Sequence, residues 1–109
     1  MTWLLRNGEV LASAEVAGTF GARSRGLSGR DECAGALLLP RTRSVHTIGM
    51  RFAIDVAFLD RDLVVVGTKT LPPNRVGLPR RHVRSVLEAE AGAFERWELQ
   101  VGDRLELKG

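Results

Sequence analysis

Two apolar runs separated by a short polar stretch constrain the fold of this chain most. In RFAIDVAFLD (51–60), four large apolar side chains alternate with a second set that is also largely apolar. Alternation with a period of two is typical of a β-strand, and a strand that is apolar on both sides is covered by protein on both. LVVVGTK follows after Asp60-Arg61-Asp62. The two runs therefore predict a β-hairpin with a loop of about three residues, which we expect at the centre of a sheet.

A second hairpin is predicted at the start of the chain, where TWLLR and EVLASAEV flank Asn7-Gly8. Asn-Gly accepts the positive φ angles of a type I′ turn, the connection that two-residue hairpins prefer. In the second strand, Val10, Ala12, Ala14 and Val16 share one face by period-two alternation. We expect this strand to be half-buried.

The remaining segments are shorter and more irregular. Thr19 can cap a short helix in which Phe20, Arg23 and Leu27 follow helical spacing, although three glycines weaken it. TLPPNRVGLPRRH reads as a long surface loop, AFERWELQ as a turn of helix, and GDRLELK as a closing strand. The chain is therefore predicted to be one α+β domain over residues 1–109. We expect it to be compact and β-rich, with a mostly antiparallel or barrel-like sheet and one or two short helices.

Composition sets the class of protein. With 44% apolar and 27% charged residues in 109, the chain resembles an ordinary globular domain. The lone Cys33 excludes an intramolecular disulfide and a multi-cysteine metal site. The first apolar run is three residues long and ends at Arg6, too short for a secretory signal or a membrane anchor. We expect a cytoplasmic protein without membrane contact.

The order of these motifs resembles the family called domain of unknown function 192. Gly26-Leu27 with Thr19 and Arg23 is similar to the family's Thr, Arg and Gly-Leu pattern, and Gly35-x-Leu37 to the strand that follows. IDVAFLD (54–60) resembles its Leu-Asp-Ile-x-Phe-Leu-Asp signature. The later matches are Leu87-Glu88, Gly92 and Gly102-Asp103.

The resemblance implies a compact β-rich α+β domain and brings no established reaction. The chain departs from the family just before the aspartate signature. There the family commonly has Trp-Met-Lys-Asn-Thr, whereas this chain has His46-Thr47-Ile48-Gly49-Met50.

Four polar residues are the candidate ligand-binding set: Arg23, His46, Asp55 and Glu88. His46 can act as a base or a metal ligand near neutral pH, and Arg23 can clamp a carboxylate or phosphate. Asp55 lies between two alanines and Glu88 in an apolar context, so each carboxylate needs a partner, an arginine or a backbone amide in the case of Asp55. All four residues are equally consistent with a structural role.

Three functions follow from these residues. The leading one is a non-enzymatic binding or accessory domain whose small polar cleft takes an anionic or polar ligand, or a protein segment. The alternative is a small enzyme using His46 with Asp55 or Glu88 as an acid–base pair. The chain has no phosphate-binding loop, nucleophile elbow or zinc-protease motif, and no ligand spacing predicts a metal or cofactor.

Basic residues support a third function. Sixteen basic against thirteen acidic residues give a net charge of +3, and Arg75, Arg80, Arg81 and Arg84 fall in the proline-rich segment or just after it. Such a surface could bind phosphates or nucleic acid weakly. The chain lacks tyrosine altogether, however, and aromatic platforms usually accompany the charge of a nucleic-acid binder, which makes nucleic acid the weaker expectation.

Overall fold

Short runs punctuated by turn residues become strands in the computed structural model, which describes residues 2–17 and 35–109. The strands are β1 (Thr2–Arg6), β2 (Glu9–Val16), β3 (Ala36–Pro40), β4 (Ile54–Leu59), β5 (Val65–Leu71), β6 (Ser85–Glu90) and β7 (Leu105–Lys108). A single helical turn, α1 (Ala93–Arg96), precedes β7. The predicted helix after Thr19, with Arg23 and Cys33, lies outside the described residues.

The turn between β1 and β2 confirms the predicted hairpin. Asn7 and Gly8 both have positive φ, 53° and 78°, as a type I′ turn requires. The shared face predicted for β2 is wrong, because the register shifts between Leu4 and Leu5 and leaves Leu11 as an extra residue. Val10 therefore pairs with Leu5 while Ala12 pairs with Leu4, on the opposite face. Val10 is exposed, although its cross-strand partner Leu5 is buried.

The described strands form one curled sheet in the order β5-β4-β6-β3-β2-β1-β7. Neighbours are antiparallel except β2 and β3, which run parallel. The two edge strands meet at one end, where Val65 N–H donates to the Asp103 carbonyl (2.8 Å) and Gly102 N–H to the Val65 carbonyl (2.8 Å). The sheet is thus partly closed into a half-barrel.

The predicted hairpin between β4 and β5 is confirmed, but its predicted position at the sheet centre is wrong. β5 is an edge strand and β4 lies next to it. The centre is occupied by β6 and β3, because β3 pairs with β2 on one side and β6 on the other. These pairings join segments far apart in the sequence, which a local apolar pattern does not record.

Both faces of the inner strand β4 are buried. All six residues of β4 are buried, as its two apolar sides predict. Ile54, Val56 and Phe58 pack into one core with Leu37 and Val86. Ala57 and Leu59 face a second core, which includes Leu87, Leu105 and Phe94 of α1. The described chain is therefore strand-rich with very little helix, which fits an α+β assignment only loosely.

Candidate functional site

Asp55 of β4 anchors α1 to the sheet. Its Oδ2 accepts the backbone N–H groups of Gly92 (3.0 Å) and Phe94 (3.1 Å), and its Oδ1 accepts the Thr70 hydroxyl (2.7 Å). Asp55 is 4% exposed, so these three donors supply the partners that a buried carboxylate needs. The backbone amide partner expected from the sequence is confirmed. Both carboxylate oxygens are engaged in holding the fold together.

Glu88 of β6 projects from the opposite face of the sheet. It lies in register with Val56 of β4 and Leu37 of β3, both in the first core, whereas Asp55 lies in register with Ala89 in the second. Side chains on neighbouring residues of a strand point to opposite faces. Glu88 is 2% exposed. The structure therefore does not bring Asp55 and Glu88 into one cleft.

His46 lies in the segment between β3 and β4 and is half-buried. It pairs with Val76 in an isolated antiparallel bridge, and its Nδ1 accepts the Ile48 N–H at 3.3 Å. Arg23, the fourth predicted member, lies outside the described residues. Of the remaining three, His46 is thus held by local contacts within the loops, while the two carboxylates are separated by the sheet.

The predicted basic surface divides into two regions. Arg84 lines a cleft at the end of the sheet where β3 and β4 finish. Arg75 and Arg80 line a separate groove beside β5. Arg81 is exposed and lines neither cavity. From Pro72 onward the proline-rich segment is a long surface loop between β5 and β6, as predicted, whereas its first two residues belong to β5. Arg84 is the last residue of the same loop.

The cavity around Arg84, which we call the arginine cleft, is assembled from three segments. It is open and has a volume of about 770 Å³. The segment after β3, the β4–β5 turn and the residues before β6 together supply its lining: Arg41, Arg43, Asp60, Arg61, Asp62, His82, Val83 and Arg84. This volume is within the usual range for a small-molecule site.

Backbone hydrogen bonds hold these three segments together. Arg84 N–H donates to the Leu59 carbonyl (2.8 Å), and Thr42 N–H donates to the Arg84 carbonyl (3.1 Å). The backbone is strained nearby, because Arg41 and His82 have φ of 52° and 64°. Residues other than glycine adopt this region at a cost and often do so at functional sites. The cleft is thus a defined shape rather than a chance gap between loops.

Positive charge dominates the arginine cleft. Four guanidinium groups face two carboxylates, and Asp60 Oδ1 already accepts the backbone N–H groups of Asp62 (2.8 Å) and Val64 (3.0 Å). Arg61 Nε lies 4.0 Å from Asp62 Oδ2 in a well-exposed pair. Across residues 2–17 and 35–109, Arg41, Arg43 and Arg84 form no salt bridge. These three cations are available to an external anion.

The groove beside β5, here named the β5 groove, has a different character. Its volume is about 480 Å³, and its walls are mostly apolar, with three cations among them. Its lining residues are Val45, Phe58, Lys69, Thr70, Leu71, Pro72, Arg75, Val76, Gly77, Leu78, Pro79 and Arg80. The two cavities share no lining residue.

Residues 2–17 and 35–109 also bear on metal binding and on membrane insertion. No group of three or more His, Cys, Asp or Glu side chains there could hold a metal ion. No helix in the same part of the chain is long and apolar enough to cross a membrane.

Sequence reasoning missed the arginine cleft as a unit. Arg41-x-Arg43 and His82-x-Arg84 stand out as basic, and Asp60-Arg61-Asp62 as a polar turn. They are about 20 residues apart along the chain, and only the pairing of β3 and β4 with β6 brings them to one end of the sheet.

Comparison with known proteins places the chain among uncharacterised relatives. A UPF0127 protein of Thermococcus sibiricus is 33% identical over 98 residues, covering 84% of this chain and 64% of that protein. A UPF0127 protein of Pyrococcus furiosus is 43% identical over 63 residues, covering 58% of this chain and 54% of that protein. The matched segments thus span about half to two thirds of these curated relatives' length.

Solved structures share the fold. A protein of unknown function from Novosphingobium aromaticivorans superposes with a TM-score of 0.80 at 20% identity, covering 96% of this chain and 82% of that one. A putative transcription regulator from Sinorhizobium meliloti superposes with a TM-score of 0.79 at 22% identity, covering 96% and 90%. The family model DUF192, described as an uncharacterized ACR, matches residues 3–107. This chain therefore belongs to the DUF192 family, as the motifs from Thr19 to Asp103 indicate.

Proposed function

We propose that this domain is a non-enzymatic binding module whose arginine cleft takes a small ligand with more than one anionic group. The observation that carries the proposal is the convergence of Arg41, Arg43, Arg61 and Arg84 on one open cavity of about 770 Å³. Guanidinium groups bind carboxylate and phosphate oxygens in a bidentate manner. Several of them around one cavity favour a ligand with several such groups.

The remaining lining residues narrow the chemical class of the ligand. Val83 is the one apolar side chain among the lining residues, and the lining contains no Phe, Tyr or Trp. The flat groups in the lining are the His82 imidazole and the guanidinium groups, and the large aromatic rings on which bases usually stack are missing from it. Phosphorylated or multiply carboxylated small molecules need only the guanidinium groups. This chemistry supports a polyanion rather than a nucleobase as the recognised part.

The enzyme alternative has less support. An acid–base pair between His46 and Asp55 would need a carboxylate oxygen free to exchange protons, and both oxygens of Asp55 accept structural hydrogen bonds. The other predicted pair is His46 with Glu88, and neither of these residues lines the arginine cleft. These observations favour ligand binding without catalysis as the function of the domain.

Isothermal titration calorimetry with inorganic phosphate, pyrophosphate and citrate tests the proposal. Pyrophosphate and citrate should bind more tightly than phosphate, because two anionic groups reach separate guanidinium groups. Arg43→Ala and Arg84→Ala should each weaken citrate or pyrophosphate binding by about tenfold or more, the loss expected for one charged hydrogen-bond donor.

Arg81→Ala is the matched control, since Arg81 is exposed in the same loop, carries the same charge and does not line the cleft. It should change affinity less than twofold. The proposal fails if no polyanion binds at millimolar concentration, or if Arg81→Ala weakens binding as much as Arg84→Ala.

A nucleic-acid function is the second candidate, favoured by the exposed arginines of the loop and by the description of the Sinorhizobium meliloti structure as a putative transcription regulator. Duplex DNA is therefore added to the titrations at several salt concentrations. Tighter binding of DNA than of citrate, with a steep salt dependence and an equal loss for Arg81→Ala, would replace the polyanion proposal.

A further inference from the structure

The β5 groove is a preformed cavity, although its outer wall is a proline-rich loop. The hydroxyl of the fully buried Thr47 donates to the Pro72 carbonyl (2.7 Å) and accepts the Arg75 N–H (2.8 Å). Thr47 N–H donates to the Arg75 carbonyl (2.7 Å), and Gly77 N–H to the Val45 carbonyl (2.8 Å). These bonds hold residues 72–77 against the 45–47 segment. A ligand would thus find its site already shaped.

Apolar side chains line the groove and two stand out on its rim. Val76 is 70% exposed and Leu78 is 83% exposed, the two highest values among the large apolar residues described. The deeper lining includes the buried Val45, Phe58 and Leu71. An apolar ligand in this groove would remove the rim side chains from water, which is the main favourable term in apolar binding.

Every charged residue of the lining is a cation. These residues are Lys69, Arg75 and Arg80, and none of them forms a salt bridge within residues 2–17 and 35–109. These cations are exposed, and their attraction for an anion strengthens once the apolar body of a bound ligand displaces water beside them. The groove is therefore complementary to a ligand that is apolar along its body and negative at one end.

Arg80 is placed for this pairing. Its guanidinium carbon lies 3.9 Å from the centroid of the Phe58 ring, in a cation–π contact that fixes the side chain over the groove. Gly67, which lies in register with Phe58, makes room for it: a Cβ there would lie 3.1 Å from Arg80 Nη1. The stacked guanidinium keeps its N–H edges available to an anion.

From these observations we propose that the β5 groove binds a small apolar carboxylate, with the chain along the Val76–Leu78 wall and the carboxylate at Arg75 and Arg80. The site is separate from the arginine cleft, and either site can be present without the other.

A chain-length series tests this assignment. Hexanoate and octanoate are titrated below their micelle concentrations into ¹⁵N-labelled protein, with 1-octanol and octylammonium as ligands of matched length. Amide shifts should concentrate at Thr70, Arg75 and Gly77. Affinity should rise by up to about fourfold for each added methylene, the usual gain for burying one. Octanol should bind at least tenfold more weakly than octanoate, and octylammonium should not bind.

Two variants and a control locate the site. Arg80→Ala should weaken octanoate binding about tenfold, and Leu78→Ser should reduce the gain per methylene, while both substitutions change exposed residues. Arg81→Ala should leave octanoate affinity unchanged. Equal affinity for octanol and octanoate, or shifts confined to the arginine cleft, would overturn the proposal.

A peptide is the competing occupant, since β5 is an edge strand. An octapeptide alternating valine and glutamate supplies that arm of the test. If the peptide binds more than tenfold tighter than octanoate and slows hydrogen exchange along β5, the occupant of the groove is an added peptide strand and not a small carboxylate.

Discussion

The Asp55 carboxylate accepts the backbone N–H of Phe94, which is 39 residues further along the chain, at 3.1 Å. The same carboxylate accepts Gly92 N–H and the Thr70 hydroxyl, so one side chain joins β4, β5 and the start of α1. Phe94 belongs to the second core. The aspartate of the IDVAFLD segment is thereby a structural residue that seats the helical turn on the sheet.

Replacing Asp55 should lower the unfolding free energy more than replacing any exposed carboxylate does. Asp55→Ala leaves two backbone N–H groups and a hydroxyl without their acceptor, and we expect unfolding free energy to fall by about 3 kcal/mol. Asp55→Asn keeps one acceptor oxygen and should lose about half as much. Urea denaturation followed by circular dichroism measures both values.

The exposed Asp62 serves as the control, since Asp62→Ala removes the same charge and should change stability by less than about 0.5 kcal/mol. A loss below about 1 kcal/mol for Asp55→Ala would show that the three hydrogen bonds contribute little to holding α1.

Thr47→Val should loosen the loop that follows β5. Valine has nearly the same shape, but it cannot accept from Arg75 N–H or donate to the Pro72 carbonyl. A buried polar group left without its partner costs about 1–3 kcal/mol, and we expect a loss of about 2 kcal/mol. Amides of residues 74–77 should exchange with solvent faster than in the unchanged protein.

Thr42→Val is the matched substitution, because the Thr42 hydroxyl donates to a single carbonyl, that of Pro40, at 3.0 Å. Its effect should be smaller and should leave exchange at 74–77 unaltered. Equal effects of the two substitutions would mean that Thr47 does not specifically hold the loop.

Local features of the fold were predictable from the sequence because their causes are local. Asn7-Gly8 adopts the two positive φ angles that its turn requires, and the period-two run of β4 has both sides buried. The position of β5 at the edge was not predictable, since strand order depends on pairings between distant segments. The face of Val10 was missed because a bulge interrupts the alternation.

The candidate site residues likewise divide into features with local causes and features that depend on distant segments. A partner for the buried carboxylate of Asp55 follows from its apolar neighbours, and backbone amides provide it. The register of β4 against β6, which places Glu88 on the other face, cannot be read from either strand alone. The convergence of Arg43, Arg61 and Arg84 likewise depends on three segments that meet only in the folded chain.

Ser85→Ala should stabilise the protein. Ser85 is 5% exposed, and within the described part of the chain its hydroxyl has no hydrogen-bond partner. It lies in register with Leu59 and Pro40, so its surroundings offer little compensation. Removing an unsatisfied buried hydroxyl should raise the unfolding free energy by about 1 kcal/mol. Thermal and urea unfolding check this, and a decrease would indicate that the hydroxyl binds an ordered water.

Charge reversal in the arginine cleft should separate ligand binding from stability. Arg43→Glu places a carboxylate among Arg41, Arg61 and Arg84, so repulsion between like charges falls and the free protein should keep its stability within about 0.5 kcal/mol. In the unchanged protein, a polyanion at 100 times its Kd should add about 2.7 kcal/mol to the unfolding free energy.

That ligand-induced gain in stability should disappear in Arg43→Glu, because the new carboxylate neutralises a neighbouring guanidinium group and repels the anionic ligand. Differential scanning fluorimetry with citrate at rising concentration measures the gain. Arg104→Glu, an exposed arginine that does not line the cleft, makes the same change in net charge and should retain it. If both variants lose the gain equally, overall charge rather than the cleft attracts the anion, and the convergence of the four arginines has no binding role.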